Sequence, residues 1–212
     1  MKRMIIGTSL TAALLLAGCG EESAVTTKED KTTVKADDKT KTAAKEAPKE
    51  KEESADGNKV EKSELGEKRS HFTNKNLNVS TKLGPINFKI NKVQTSVFKP
   101  VADYKEMFDN KDEVTLIAFE VEAENTSDAT INFHPNQAKL TTNTGEQIDA
   151  SMVLSEDVGG EFIGKVKKKG NVIFLAESAP DKITAVKFIA DGPNDENFES
   201  LADRYTVDVK TK

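Results

Sequence analysis

The chain has 212 residues, with 31 Lys and Arg against 36 Asp and Glu and a formal net charge of −5. This acidic balance lacks the basic footprint that phosphate backbones require, so nucleic acid is not expected as a partner. With one cysteine there is no intramolecular disulfide, and a folded domain must be held by its apolar core alone.

The chain opens with MKRMIIGTSLTAALLLAGCG. Lys2 and Arg3 make a basic flank, and Met4 to Leu16 is an apolar run too short to span a bilayer comfortably, which takes about 20 residues. Small Ala17 and Gly18 then precede Cys19. Basic flank, short apolar core and small residues before a cut site are the layout of a secretory signal. Leu16-Ala17-Gly18-Cys19 resembles the lipobox of bacterial lipoproteins. That resemblance implies that the Cys19 thiol carries a diacylglyceryl group and that cleavage removes residues 1–18. Two acyl chains anchor stably, because each buried CH₂ contributes about 0.8 kcal/mol and one chain alone is marginal. The expected location is the extracytoplasmic face of the cell membrane, with the membrane engaged through Cys19.

From residue 19 to 74 the chain is Lys, Glu, Asp, Thr, Ala and Ser with few large aliphatics. Such a composition buries too little apolar surface to offset its ordering entropy, and a disordered tether is expected.

Residues 75–212 read as one all-β domain. Ile86, Phe88 and Ile90 alternate with Asn87, Lys89 and Asn91, and the phase then shifts to Val93, Thr95 and Val97, which predicts a bulge. Val101 to Phe108 is the one candidate short helix. Val114 to Glu124 is the strongest strand. Ile117, Phe119, Val121 and Ala123 make one face, while Leu116 and Ala118 on the other give way to Glu120, Glu122 and Glu124. That strand is expected to start buried on both faces and end with one face in water. Asn125-Thr126-Ser127-Asp128 is a turn cluster, followed by a strand at Ile131 and Phe133 that Pro135 ends. Ala138 and Leu140 lead to a turn at Asn143-Thr144-Gly145. Phe162 to Val166 and Val172 to Ala176 flank Lys167-Lys168-Lys169-Gly170-Asn171, read as a hairpin turn. Ile183 to Ala190 and Tyr205 to Val209 close the domain. About eight short strands at this spacing predict a β-sandwich.

Three stretches carry a family resemblance: VTLIAFEVEAENTSDATINF, AKLTTNTGEQI and GGEFIGKVKKKGNVIFLAE. They resemble the immunoglobulin-like (telokin-like) module of Gram-positive lipoproteins, in particular the domain of unknown function DUF4352, which typically follows a lipobox and a polar tether. The resemblance implies fold and location. It implies no chemistry, because none of the three stretches is a catalytic motif.

The residues themselves offer little for catalysis. The two histidines are His71 and His134, Cys19 is consumed by lipid, and no serine sits in a nucleophile-elbow setting. No enzyme activity, cofactor or metal is expected. Asp109, Asp112 and Glu113, and Asp191, Asp195, Glu196 and Glu199, are oxygen-rich clusters weighed as calcium ligands, but they lack the EF-hand order and read as solvated loops. Lys165, Lys167, Lys168 and Lys169 are candidates for contact with an anionic wall polymer or lipid headgroup, against the ordinary role of such lysines in solubility and edge protection. The functional expectation is a lipid-anchored, non-catalytic binding module at the cell envelope, whose partner is an envelope protein or anionic wall polymer. The alternative is an extracellular protease inhibitor or small-ligand-sequestering protein, with Val101 to Glu113 and Asp149 to Glu161 as its presenting loops.

Overall fold

The computed structural model describes residues 60–212. The expected signal peptide of residues 1–18, Cys19 and the expected tether as far as residue 59 lie outside the described residues.

Twelve strands make up the described chain. The largest sheet is built on β4 (Ile86–Pro100) and β5 (Val114–Asn125), which pair antiparallel. β10 (Lys167–Ala176) lies on the far side of β5, with Lys167 opposite Glu124 and Ala176 opposite Thr115. The other edge of β4 is shared end to end. β3 (Val79–Leu83) covers its first half and β2 (Gly66–Asn74) its second, with β1 (Val60–Lys62) paired to β2. The two-residue connection from β3 to β4 uses Gly84 at φ +55°, where a side chain is rarely tolerated.

A second sheet runs in the order β12 (Tyr205–Lys210), β11 (Ala185–Ala190), β7 (Lys139–Thr142), β8 (Gln147–Asp149), and a two-stranded pair joins β6 (Thr130–Phe133) to β9 (Gly160–Ile163). The fold is the expected all-β sandwich. Alternation on β4, β5 and β10 sends Ile86, Phe88, Ile90, Ile117, Phe119, Val121, Val172 and Phe174 inward, all essentially inaccessible to solvent. They meet Leu140, Val186 and Phe188 from the second sheet. Phe188 is the junction, with ring centroids 5.1 Å from Phe119, 6.1 Å from Phe174 and 6.2 Å from Phe88. Edge-to-face, tilted and stacked aromatic pairs of this kind add to simple burial.

A smaller core lies on the opposite face of the large sheet. There Phe98, Val114 and Leu116 pack with Phe108 from the 3-10 helix Ala102–Phe108, the short helix expected from the sequence. β5 is accordingly buried on both faces at its start, and Glu120, Glu122 and Glu124 reach the outer surface at its end. Those carboxylates form a charge ladder with neighbouring strands. Glu122 pairs with Lys167 at 3.1 Å and Lys89 at 3.7 Å, and Glu120 pairs with Lys169 at 2.9 Å.

Two expectations are corrected. Residues 60–74, assigned to the tether, are β1 and β2, and β2 is bonded to β4 from Gly66–Pro100 to Asn74–Val93. Composition misplaced them because β2 buries little beyond Phe72 and is held chiefly by its backbone ladder. Lys167-Lys168-Lys169-Gly170-Asn171 is not a turn. It is the first half of β10, and β9 pairs with β6 rather than with β10. Gly170 marks a close approach: a Cβ there would lie 2.9 Å from Cβ of Glu156 and 3.5 Å from Cβ of Val158.

Two outcomes test this architecture by urea unfolding. Phe119→Ala is expected to cost about 3–5 kcal/mol through lost transfer energy and a residual cavity. Glu122→Gln, at a surface ion pair, is expected to cost at most about 1 kcal/mol. The hydrogen bond from Lys167 holds the Glu122 carboxyl below the usual carboxylate range, against an opposing effect of burial. A depressed folded value means this contribution is complete above the unfolded value near pH 4.5 and fades as pH falls through the folded one. The Glu122→Gln difference should therefore vanish in acid while the Phe119→Ala difference persists; equal costs would mean the face assignment is wrong. A chain beginning at Lys75 lacks β2 and leaves the second half of β4 paired on one edge only, to β5. Phe72 alone removes roughly 1–2 kcal/mol of burial, and the urea midpoint should fall well below that of a chain beginning before Val60. An unchanged midpoint would make β1 and β2 dispensable.

Candidate functional site

The outer face of the large sheet is set by two extra residues. In β4, Ile90 faces Val121 and Lys92 faces Glu120, so Asn91 has no opposite number on β5. Side chains at even positions point inward before this bulge and outward after it, which brings Lys92, Gln94 and Ser96 onto the outer face. β2 shifts in the same way between Ser70 and Phe72, with exposed His71 as the extra residue. Phe72 turns toward the core, while Ser70 and Thr73 both reach Gln94.

These shifts build the floor of a cleft of about 260 Å³. The register places three rows across β4, β5 and β10: Lys92–Glu120–Asn171, Gln94–Ala118–Ile173 and Ser96–Leu116–Leu175. The rows grade from charged to apolar, and small Ala118 sits at the centre of the depression. One wall is the segment 151–156, which closes the free edge of β10. The Ser151 N–H donates to the Ile173 carbonyl at 2.8 Å, and the Glu156 N–H donates to the Asn171 carbonyl at 2.9 Å. The Ser155 hydroxyl accepts from the Ile173 N–H at 2.9 Å, and the Glu156 carboxylate accepts from the backbone and side-chain N–H groups of Asn171. Leu154 from this segment lines the cleft and packs on the smaller core. Lys68 of β2 forms the other side.

Gln94 is only 8% exposed, and its polar atoms are engaged. Its Nε2 donates to Ser70 at 2.9 Å and Thr73 at 3.1 Å, and its Oε1 accepts from Lys68 at 3.4 Å. Lys68 also pairs with Glu61 at 2.7 Å. Lys92 differs. Among the described residues it makes no ion pair within 4 Å, and Glu120 opposite it is paired with Lys169. Burial pushes the Lys92 ammonium below the usual lysine range. Lys68 adds to that shift, against the opposing effect of Glu120 and Glu61.

The residues singled out from the sequence fall elsewhere. Alternation along β10 places Lys167 and Lys169 on the outer face, in the charge ladder, and Lys168 on the other. Lys168 donates to the Gly159 carbonyl at 2.5 Å and lies 5.1 Å from the Phe162 ring centroid. Lys165 pairs with Asp128 at 3.2 Å. The four are therefore not one patch. Asp112 pairs with Lys105, Glu113 with Lys99 at 3.3 Å and Asp191 with Arg204 at 2.7 Å. Asp195 accepts the backbone N–H groups of Asn197 and Glu199 and so braces its own loop. Among the described residues no group of three or more His, Cys, Asp or Glu side chains converges as a metal site. His71 and His134 lie on different elements, at the β2 bulge and just after β6. The sequence reading named the Asp149 to Glu161 loop that walls the cleft but not Lys68, Lys92 or Gln94. Its signal for them was the phase change at Asn91, which places a lysine and a glutamine opposite the Glu120–Ala118 side of β5.

No family model matches the chain. It is 28% identical over 137 residues to the SPbeta prophage-derived uncharacterized lipoprotein YonS of Bacillus subtilis strain 168, a match covering 63% of this chain and 62% of that protein. It is 23% identical over 154 residues to the uncharacterized protein YdhF of the same organism, covering 64% of this chain and 65% of that one. The chain thus spans less than two thirds of the length of either curated relative. Among solved structures, a functionally unknown protein from Listeria monocytogenes EGD-e aligns with a TM-score of 0.54 at 12% identity, over 70% of this chain and 90% of that one. That likeness is one of fold. The sequence likeness is to a lipoprotein of unknown function, and none of these names carries an activity.

Proposed function

We propose that this chain is a lipid-anchored, extracytoplasmic protein whose immunoglobulin-like sandwich, of the DUF4352 kind, is a non-catalytic binding module at the cell envelope. The anchor reading is supported by Leu16-Ala17-Gly18-Cys19 and by the similarity to a protein named a lipoprotein. The observation that carries the binding reading is the cleft on the outer sheet face, where a lysine without an ion pair among the described residues and a locked amide flank an apolar floor. Concave sites with a few converging polar groups suit small ligands, whereas a protein partner calls for a broad apolar patch. The same cleft therefore favours capture of a small ligand over protease inhibition. Lys165, Lys167 and Lys169 are ion-paired within the chain, which makes them poor candidates to hold a wall polymer.

The anchor and its face are tested together. The native protein should partition with membranes, incorporate labelled lipid and be digested by protease added to cells stripped of their wall. Cys19→Ser should lose the lipid label and move to the soluble or uncleaved fraction. Unchanged membrane partition in Cys19→Ser, or protection from external protease, would overturn the reading.

A further inference from the structure

The cleft has a chemical polarity that identifies what fits it. Its charged end holds Lys92, a partly buried residue without an ion pair within 4 Å among the described residues. The nearest acids are committed elsewhere: Glu120 to Lys169 at 2.9 Å and Glu61 to Lys68 at 2.7 Å. Lys68, on the β2 side, is held by Glu61 and donates to Gln94 at 3.4 Å, so of the two lysines in the lining Lys92 is the one without an ion pair among the described residues. At the far end Leu116 and Leu154 present hydrocarbon, and in the middle row Ile173 stands beside small Ala118, which leaves the space between. The one acid in the lining, Glu156, stands on the opposite wall and has one oxygen bonded to Asn171. A partly desolvated cation gains most from an anion that brings its own charge into the same low-dielectric space. The cleft volume, about 260 Å³, lies just under the range of drug-sized pockets, so the occupant is small.

We infer that the cleft binds a small amphiphilic carboxylate, its carboxylate facing Lys92 and its short aliphatic body lying over Ala118 toward Leu116 and Leu154. The inference rests on the small-ligand reading and specifies its chemistry. Same-face neighbours along a strand are separated by roughly 6.8 Å, so the charged row and the Leu116 row lie two such steps apart. A carboxylate on a chain of several carbons matches that span. A free short-chain acid and the C-terminal carboxylate of a peptide share this chemistry.

The test uses the chain from residue 19 onward carrying Cys19→Ser, titrated with hexanoate, hexanol, hexylammonium and an acetylated Ala-Ala dipeptide with a free carboxyl. Binding is read from amide shifts and by calorimetry. Either carboxylate should shift the amides of Gln94, Ala118 and Ile173, and the tighter of the two identifies the source. Lys92→Gln should weaken that carboxylate at least tenfold. Ala118→Leu should abolish binding by filling the floor, and Lys187→Gln on the second sheet should change nothing. Thermal unfolding of each variant establishes that it is folded. If hexanol or hexylammonium binds the cleft as well as hexanoate, or Lys92→Gln binds undiminished, the carboxylate assignment falls while the small-ligand reading stands. If no probe moves a cleft amide, both fall.

Discussion

One unpaired residue in β4 governs the domain. Because side chains alternate with period two, inserting Asn91 exchanges inside and outside for everything after it. Without it, Lys92, Gln94 and Ser96 would face the phenylalanines of the core, and Val93 and Thr95 would face water. The bulge is anchored from the other edge, where the Leu77 N–H donates to the Asn91 carbonyl at 3.0 Å. It also has a counterpart one strand away, at His71 of β2. Gln94 joins the two. Its amide nitrogen bonds one residue on each side of the β2 bulge, Ser70 and Thr73, which face outward together only because the strand changes phase between them. The cleft floor is thus a consequence of paired irregularities in adjacent strands, where bulges commonly re-aim side chains.

The core can bear these irregularities because its centre is aromatic and crosses between sheets. Phe188 touches a ring from each of β4, β5 and β10, so the second sheet is keyed to the three strands that also frame the cleft. The smaller core around Phe98 and Phe108 fixes the opposite end of the same strands. Asn125 does the equivalent work at the end of β5. It is 1% exposed, its Nδ2 donates to the Ala129 and Phe162 carbonyls, and its Oδ1 accepts from Ser127. That one side chain ties the turn to β9 without a disulfide.

Much of this was legible in the sequence, and the reason is burial. The phase change at Val93, the two-sided start of β5, the Asn125 turn and the Pro135 stop are all written in apolar spacing, which one buried face enforces. What was misread lies where burial is slight or the cause is remote. β2 offers Lys68 to the cleft, Ser70 and Thr73 to the Gln94 amide and only Phe72 to the core, so its composition matches that of a tether. Lys167-Lys168-Lys169-Gly170-Asn171 has the residues of a turn, yet Gly170 is small because the Glu156–Val158 segment crosses above it. No local pattern contains that crossing, which joins positions more than ten residues apart. The cleft itself was invisible for the same reason: its lining comes from four strands and a loop, and each residue in isolation reads as ordinary surface.

Gln94 and Lys92 stand two positions apart on the same face, and the contrast between them separates architecture from function. Gln94 is nearly inaccessible, and every contact it makes stabilises the meeting of two strands, so its polarity is accounted for by the fold. Lys92 is half-buried, repelled by Lys68, and lacks an ion pair among the described residues, while the acid facing it across the sheet serves Lys169 instead. A hydrophobic residue there would cover Ala118 and Ile173 at no electrostatic cost. Local rules are broken without structural return mainly at working sites. The sheet has a ladder of matched charges at one end and a closed core at the other. Only in the span between them are charge and hydrocarbon both left unmatched, and that is the span the loop 151–156 walls without covering.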